Sequence, residues 1–307
     1  MKQTYEQVAV QWKAAKRPYV KDTTYGIYVY HLNCHILPRF GEGAAPDEDQ
    51  VQEWADDMLA KGLSVKTVRD ALLVLKMVVN YGAKLKVWNR EDYSLHLPQV
   101  APSSDRLPVL PINHQKKLVT YLRNNITCQN LGILICLFSG MRIGEICGLQ
   151  WRDIDLGQRE VHVRKTVQRL WMKDEGKTYS GILVGSPKTL SSQRDIPITA
   201  EMMRILGPMK KQSKANYYVI TDSTKPAEPR YYRDYFKKLL VKLNIPPVRF
   251  HALRHSFATR CIESNCDYKT VSAILGHASI STTMDLYVHP GHADKKRAIE
   301  KMARQLR

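Results

Sequence analysis

A proline-rich break divides this chain into two halves of unlike texture. The stretch "LHLPQVAPSSDRLPVLP" carries Pro98, Pro102, Pro108 and Pro111, with Ser103 and Ser104 between them. Each proline fixes its own φ, lacks a backbone donor and biases the preceding residue away from helix, so no regular element runs through the stretch. It reads as an extended linker over residues 96–108. At 307 residues the chain has length for a core on each side of that linker. The expected organisation is a helical domain over 1–95, the linker, and a second domain over 109–307.

The first hundred residues follow a helical period. "TYEQVAVQW" opens with Thr4 and Gln7 at capping-box spacing. In "LSVKTVRDALLVLKMVVNYG", Ser64 is placed to cap, Leu63 and Val68 to staple, and Gly82 to end the helix. Val68, Leu72, Leu75 and Val79 recur at helical spacing. "TTYGIYVYHLNCHIL" and "DEDQVQEWADDMLA" are helix-like as well. The expectation is a small all-helical bundle whose first half is rich in Lys, Arg and His.

Past the linker the patterns mix. "LGILICLF" reads as a buried helix closed by Ser139 and Gly140, and "MRIGEICGL" starts another. "EVHVRKTV" alternates as a strand, "SPKTLSSQ" as a polar turn, and "RDIPIT" as a further short strand. "PRYYRDYFKKLLVKL", halted by Pro246 and Pro247, returns to helix, as do "FHALRHSFATRCIE", "DYKTVSAILG", "SISTTMDLY" and a tail from Ala293 to Leu306. The fold class expected is mostly α with a small antiparallel β-sheet.

Charge narrows the partners. Lys and Arg number 47 against 29 Asp and Glu, a surplus of 18 positive charges. A surplus of that size concerns partners rather than fold, and polyanions, nucleic acid foremost, answer it. No apolar run approaches the about 18 residues of a membrane span, and the start lacks a signal-peptide core. The six cysteines form no C-x-x-C pair, so they read as reduced thiols of a cytoplasmic protein.

Four segments hold residues suited to an anion. In "FHALRHSFATR", His251 and Arg254 lie three apart and share a face near a helix start, where the macrodipole also favours negative charge. Leu253, Phe257 and Cys261 define the other, core-facing side. In "SGMRIGEICGLQW", Arg142 follows a Ser-Gly turn and Glu145 is one turn on, placed to hold the guanidinium. Lys188 in "SPKTLSSQRDIPI" stands at the mouth of a hairpin. In "LGHASISTTMDLYVHP", His277 follows a helix-ending Gly276 and Tyr287 closes the segment. Taken singly, each is more at home as a solvated basic face, a helix-surface ion pair or a packing tyrosine. The histidines could also suggest zinc, yet no H-E-x-x-H or C-x-x-C supplies a ligand set, so no metal is expected. His255 reads as a core or supporting histidine.

In this order the four segments resemble the successive signature segments of the tyrosine recombinase, or phage-integrase, family. The resemblance covers the whole second domain, and the first is similar to the helical, SAM-like core-site-binding domain of such enzymes. It implies an α+β catalytic domain with Arg142, Lys188, His251, Arg254, His277 and Tyr287 on the six active-site positions and Glu145 as the supporting acid. Tyr287 would attack a DNA phosphate, leaving a 3′-phosphotyrosyl link without metal, ATP or other cofactor. Arg142 and Arg254 would clamp the phosphate. Lys188 would act as general acid, His251 as proton acceptor, and His277 as a phosphate hydrogen-bonder.

The implied partners are double-stranded DNA at recombination sites, a homotetramer on that DNA, and accessory DNA-bending or directionality factors. The implied setting is cytoplasmic and nucleoid-associated. The biology implied is integration or excision of a phage or other mobile element, with chromosome-dimer resolution behind it. A type IB topoisomerase-like enzyme and a non-catalytic architectural DNA-binding protein remain open. No arm-site-binding module is expected ahead of the helical domain. The tail, with Ile299, Met302 and Leu306 on one side, is expected to dock on a neighbouring protomer or on its own domain.

Overall fold

Side-chain caps start the first helices. Helix α1 (Tyr5–Lys16) opens with Thr4 and Gln7 bonding reciprocally, and Asp47 and Gln50 do the same for α4 (Glu48–Ala60). The structure, a computed structural model, describes residues 3–89, 91–99, 109–174, 177–187, 190–287, 296, 299–300 and 302–304. Of these, only the backbone is described at 171–174, 177–179, 190 and 285–287. Most of the expected linker, residues 100–108, lies outside them. The chain divides into two compact units, residues 1–103 with 169–181, and residues 104–168 with 182–307.

In the first unit, α2 (Asp22–His31) runs through a π-helical turn (Leu32–Ile36) into α3 (Leu37–Phe40), and α5 (Val65–Lys84) starts at the Ser64 cap. α5 buries Val68, Ala71, Val74, Leu75, Val78 and Val79, one stripe at helical spacing. Gly82 does not end the helix, contrary to expectation. It sits inside α5, where a Cβ would stand 2.2 Å from Trp88 Cζ2. Close approach of the indole is therefore what the position requires, and Trp88 Nε1 donates to the Val79 carbonyl at 2.9 Å.

The second unit begins with α6 (Ile112–Asn124), α7 (Cys128–Ser139) and α8 (Ile143–Cys147). Strands β1 (Ile154–Asp155), β2 (Glu160–Val163), β3 (Thr166–Asp174), β4 (Lys177–Gly185) and β5 (Arg194–Pro197) follow. β1, β2 and β5 form an antiparallel sheet in that order, with Val161 opposite Ile196 and Val163 opposite Arg194. β3 and β4 form a separate two-stranded sheet. "EVHVRKTV" is thus not one strand: it breaks at Arg164–Lys165 and feeds two sheets. Helices α9 (Ala200–Gln212), α10 (Pro229–Lys242), α11 (His251–Glu263), α12 (Tyr268–Leu275) and α13 (Ile280–Tyr287) complete the unit. Among the described residues no helix is long and apolar enough to cross a membrane.

Candidate active site

The site starts where α7 stops. Gly140 ends that helix at φ +65°, and a Cβ there would meet Leu275 and Phe257 at 2.6 Å. Only a glycine both adopts the left-handed turn cheaply and lets those side chains close over it. The chain then reverses and Arg142 becomes the residue that precedes α8. Glu145, 2% exposed, turns back: its carboxylate accepts the Arg142 backbone N–H and the Arg142 Nη1, each at 2.9 Å. Nη2 of Arg142 reaches the Gly276 carbonyl at 3.3 Å. The guanidinium is fixed along one edge and still 37% exposed.

Glu145 holds a second guanidinium that the sequence reading did not single out. Arg194 donates to both its oxygens, at 3.2 and 3.0 Å, and to the carbonyls of Ser192 and Ile274. Its burial follows from strand parity. β5 alternates, so Arg194 points inward with Ile196 while Asp195 points out. The available signal was a charged residue in phase with a buried aliphatic one. Arg194 thereby joins α8 to the end of α12.

Helix α11 brings His251, Arg254 and His255. The expectation that Arg254 projects away from the core side fails: Arg254 is 1% exposed, and α11 buries Ala252 through Ser256 nearly all round. Its Nη1 donates to the Gly140 carbonyl at 2.8 Å. His251 keeps an open side, though its ring is partly covered, and meets His255 edge to face, with ring centroids 4.5 Å apart.

α12 ends at Gly276 with φ +67°, and a Cβ there would press on the Ser191 carbonyl at 2.9 Å and on the Arg194 side chain. His277 follows directly. Its Nδ1 is 2.8 Å from Oγ1 of Thr283, a buried residue of α13 that locks the ring. Tyr287 is the last residue of α13, with its backbone alone described. Lys188 lies outside the described residues.

These groups share one electric field. Burial alone would raise the Glu145 pKa; the hydrogen bonds and charge of Arg194, then the N–H and charge of Arg142, reverse that and hold it below its ordinary value. His277 is lowered to about 4 by burial and by the charges of Arg254, Arg142 and Arg194. His255 falls to about 4 through burial, His251 and Arg254. His251 is lowered by burial, Arg254 and Arg142. Three guanidinium groups against one carboxylate leave a surplus of two positive charges with neutral imidazoles. A positive surplus in a half-enclosed site favours an anion, the more so one that gains charge.

The structure brings together Arg142, Glu145, His251, Arg254 and His277 from the expected set. Among the described residues, the group with metal-ligand geometry lies elsewhere, at Glu160, His162 and Asp195. There Arg164 and His162 already bind Asp195.

The model of the phage integrase family matches residues 109–293. The chain is 26% identical over 280 residues to "Tyrosine recombinase XerC-like" of Caldanaerobacter subterraneus subsp. tengcongensis, covering 82% of this chain and 69% of the relative. It is 22% identical over 273 residues to the ICEBs1 integrase of Bacillus subtilis, covering 85% and 72%. The fold is similar to that of the Tn1549 transposon integrase in complex with transposon right end DNA. That match has a TM-score of 0.77 and 23% identity, over 98% of this chain and 100% of that one. With the family model spanning well over half of its length, the chain belongs to the phage integrase family, the tyrosine recombinases.

Proposed function

We propose that this chain is a site-specific DNA recombinase that integrates or excises a mobile element through a phosphotyrosyl intermediate on Tyr287. The convergence of Arg142, Arg254, His251 and His277 about the buried Glu145 carries the reading. A backbone phosphodiester is already an anion, and attack concentrates further charge on its non-bridging oxygens. Arg142 and Arg254, held from behind by Glu145 and Gly140, offer fixed donors for those oxygens. Neutral His251 accepts the Tyr287 proton, and His277, aligned by Thr283, donates to phosphate. Lys188 protonates the departing 5′-oxygen.

The Tyr287 oxygen forms a bond to phosphorus as the bond to the 5′-oxygen breaks, so bond energy is stored and no nucleotide is consumed. The guanidinium pair takes the charge that divalent ions neutralise in many nucleases. The helical domain read over 1–95 grips duplex DNA, and the domain read over 109–307 performs the chemistry. Exchange between two duplexes then needs four protomers, acting in the cytoplasm on nucleoid DNA with accessory bending or directionality factors. The relative named as the ICEBs1 integrase supports the mobile-element reading.

A nicked duplex that loses its 5′-hydroxyl strand traps the intermediate. In chelator, a covalent adduct mapping to Tyr287 and lost in Tyr287→Phe is the expected result. No adduct would leave an architectural DNA-binding protein. Relaxation of plasmid without a specific site would point to topoisomerase activity.

A further inference from the structure

Two of the six cysteines meet at the corner that joins α11 to α12. Helix α11 ends on Glu263, and Asn265 takes φ +63°. The Cys266 N–H donates back to the Cys261 carbonyl at 3.0 Å, and the Asn265 N–H to the Ile262 carbonyl at 2.9 Å. That pair of bonds around one left-handed residue is a Schellman turn, and it sets the third residue from the helix end beside the second residue beyond the cap. Such turns commonly fill those two positions with touching apolar side chains. Here both are cysteine, and Cys266 adds to what raises the Cys261 thiol. Cys266 is exposed, whereas Cys261 is partly covered beside Val271 and Leu275 of α12.

We infer that Cys261 and Cys266 are a modification site, a dithiol that a peroxide converts reversibly into a disulfide across the helix cap. The two thiols have different parts. Burial, reinforced by Cys266, pushes the Cys261 thiol up to about 11, so it is not the group that meets the oxidant. The exposed Cys266 thiolate attacks the peroxide, whose O–O bond breaks; the sulfur becomes a sulfenic acid and one water leaves. Cys261 sulfur then attacks that sulfenic sulfur, the S–O bond breaks, and a second water carries away the oxygen. Two thiols and one hydrogen peroxide yield one disulfide and two waters. A dithiol reductant reverses the step. The helix cap supplies the proximity, because its backbone bonds hold both residues together before any sulfur reacts.

The chain makes the test direct. Cleavage after Arg260 and Lys269 releases "CIESNCDYK", which contains these two cysteines and no other. The folded protein is treated with hydrogen peroxide, blocked with N-ethylmaleimide and digested. The expected peptide carries no maleimide, is two hydrogens lighter than the dithiol, and regains two maleimide-reactive thiols after dithiothreitol. In Cys261→Ser, dimedone should trap a sulfenic acid on Cys266. A peptide with two maleimides after peroxide would overturn the inference. So would sulfinic or sulfonic acid on Cys266 with Cys261 still labelled, or a bridge to a second chain.

Discussion

The two units spend their interiors on different residues. In the first, among the described residues, His31 is the one polar side chain buried with the aliphatic and aromatic core. In the second, Glu145, Arg194 and Arg254 are all enclosed, with His255, Thr283 and several other polar groups. Enclosed charge is costly unless paired, and even a paired buried charge gains little over a plain apolar core. The difference marks where stability has been exchanged for a fixed field: the first unit is built to hold a shape, the second to hold guanidinium groups still.

Removing one carboxylate in each unit breaks the comparison most sharply. Glu145→Ala strands Arg194 inside the protein and should cost about 3–5 kcal/mol in urea unfolding of the second unit. Glu53, in the first, pairs with Arg39 across solvent at 2.7 Å and is 65% exposed. Glu53→Ala should cost about 0.2–1 kcal/mol by the same measurement. Equal costs would erase the distinction.

A smaller effect separates two glycines. Gly62 has φ +83° with nothing within 4 Å of a Cβ, so Gly62→Ala meets only the left-handed penalty of about 1–2 kcal/mol. Gly276 has φ +67° and the Ser191 carbonyl 2.9 Å from the same position. Gly276→Ala should therefore lower the melting temperature further. Because His277 is the next residue, it should also slow DNA cleavage, which Gly62→Ala should leave alone.

The mildest test is titration. His277 in the folded chain titrates near 4, below the 6.5 of a free imidazole. Between those values the unfolded chain binds the proton and the folded one does not. Its contribution is therefore fully present above about 6.5 and falls as pH drops toward 4. His255 acts in the same direction. Denaturant midpoints should decline over that interval. Adding phosphodiester, which neutralises part of the guanidinium field, should raise the His277 value in an NMR titration.

Much of this was legible beforehand where one residue type has one local use. Thr4 with Gln7, Ser64, and Gly140 and Gly276 at helix ends all behave as their spacing indicates. Legibility failed where tertiary contacts decide. Gly82 answers to Trp88, a neighbour the local pattern does not name. Helix α9 continues through Pro208, where Gly207 and the proline resemble a turn, and neither it nor α6 was expected. Strand β4 carries no strict alternation of polar and apolar residues, so the second sheet went unseen. Arg254 was misjudged and Arg194 passed over for one reason. Charge normally predicts exposure, and only a shared carboxylate or carbonyl partner, distant in sequence, reverses that.

The central claim is that Glu145, buried between two guanidinium groups, sets the phosphate clamp without itself touching DNA. Glu145→Gln keeps the shape and an acceptor for the Arg142 N–H but removes the charge. Its single-turnover rate of covalent adduct formation on nicked duplex, measured beside its DNA affinity, tests the claim most directly. The account predicts a rate about 10- to 100-fold lower, the range seen for partners that orient metal ligands, with affinity and melting cooperativity retained. An unchanged rate, or a rate and affinity that fall together, would contradict it.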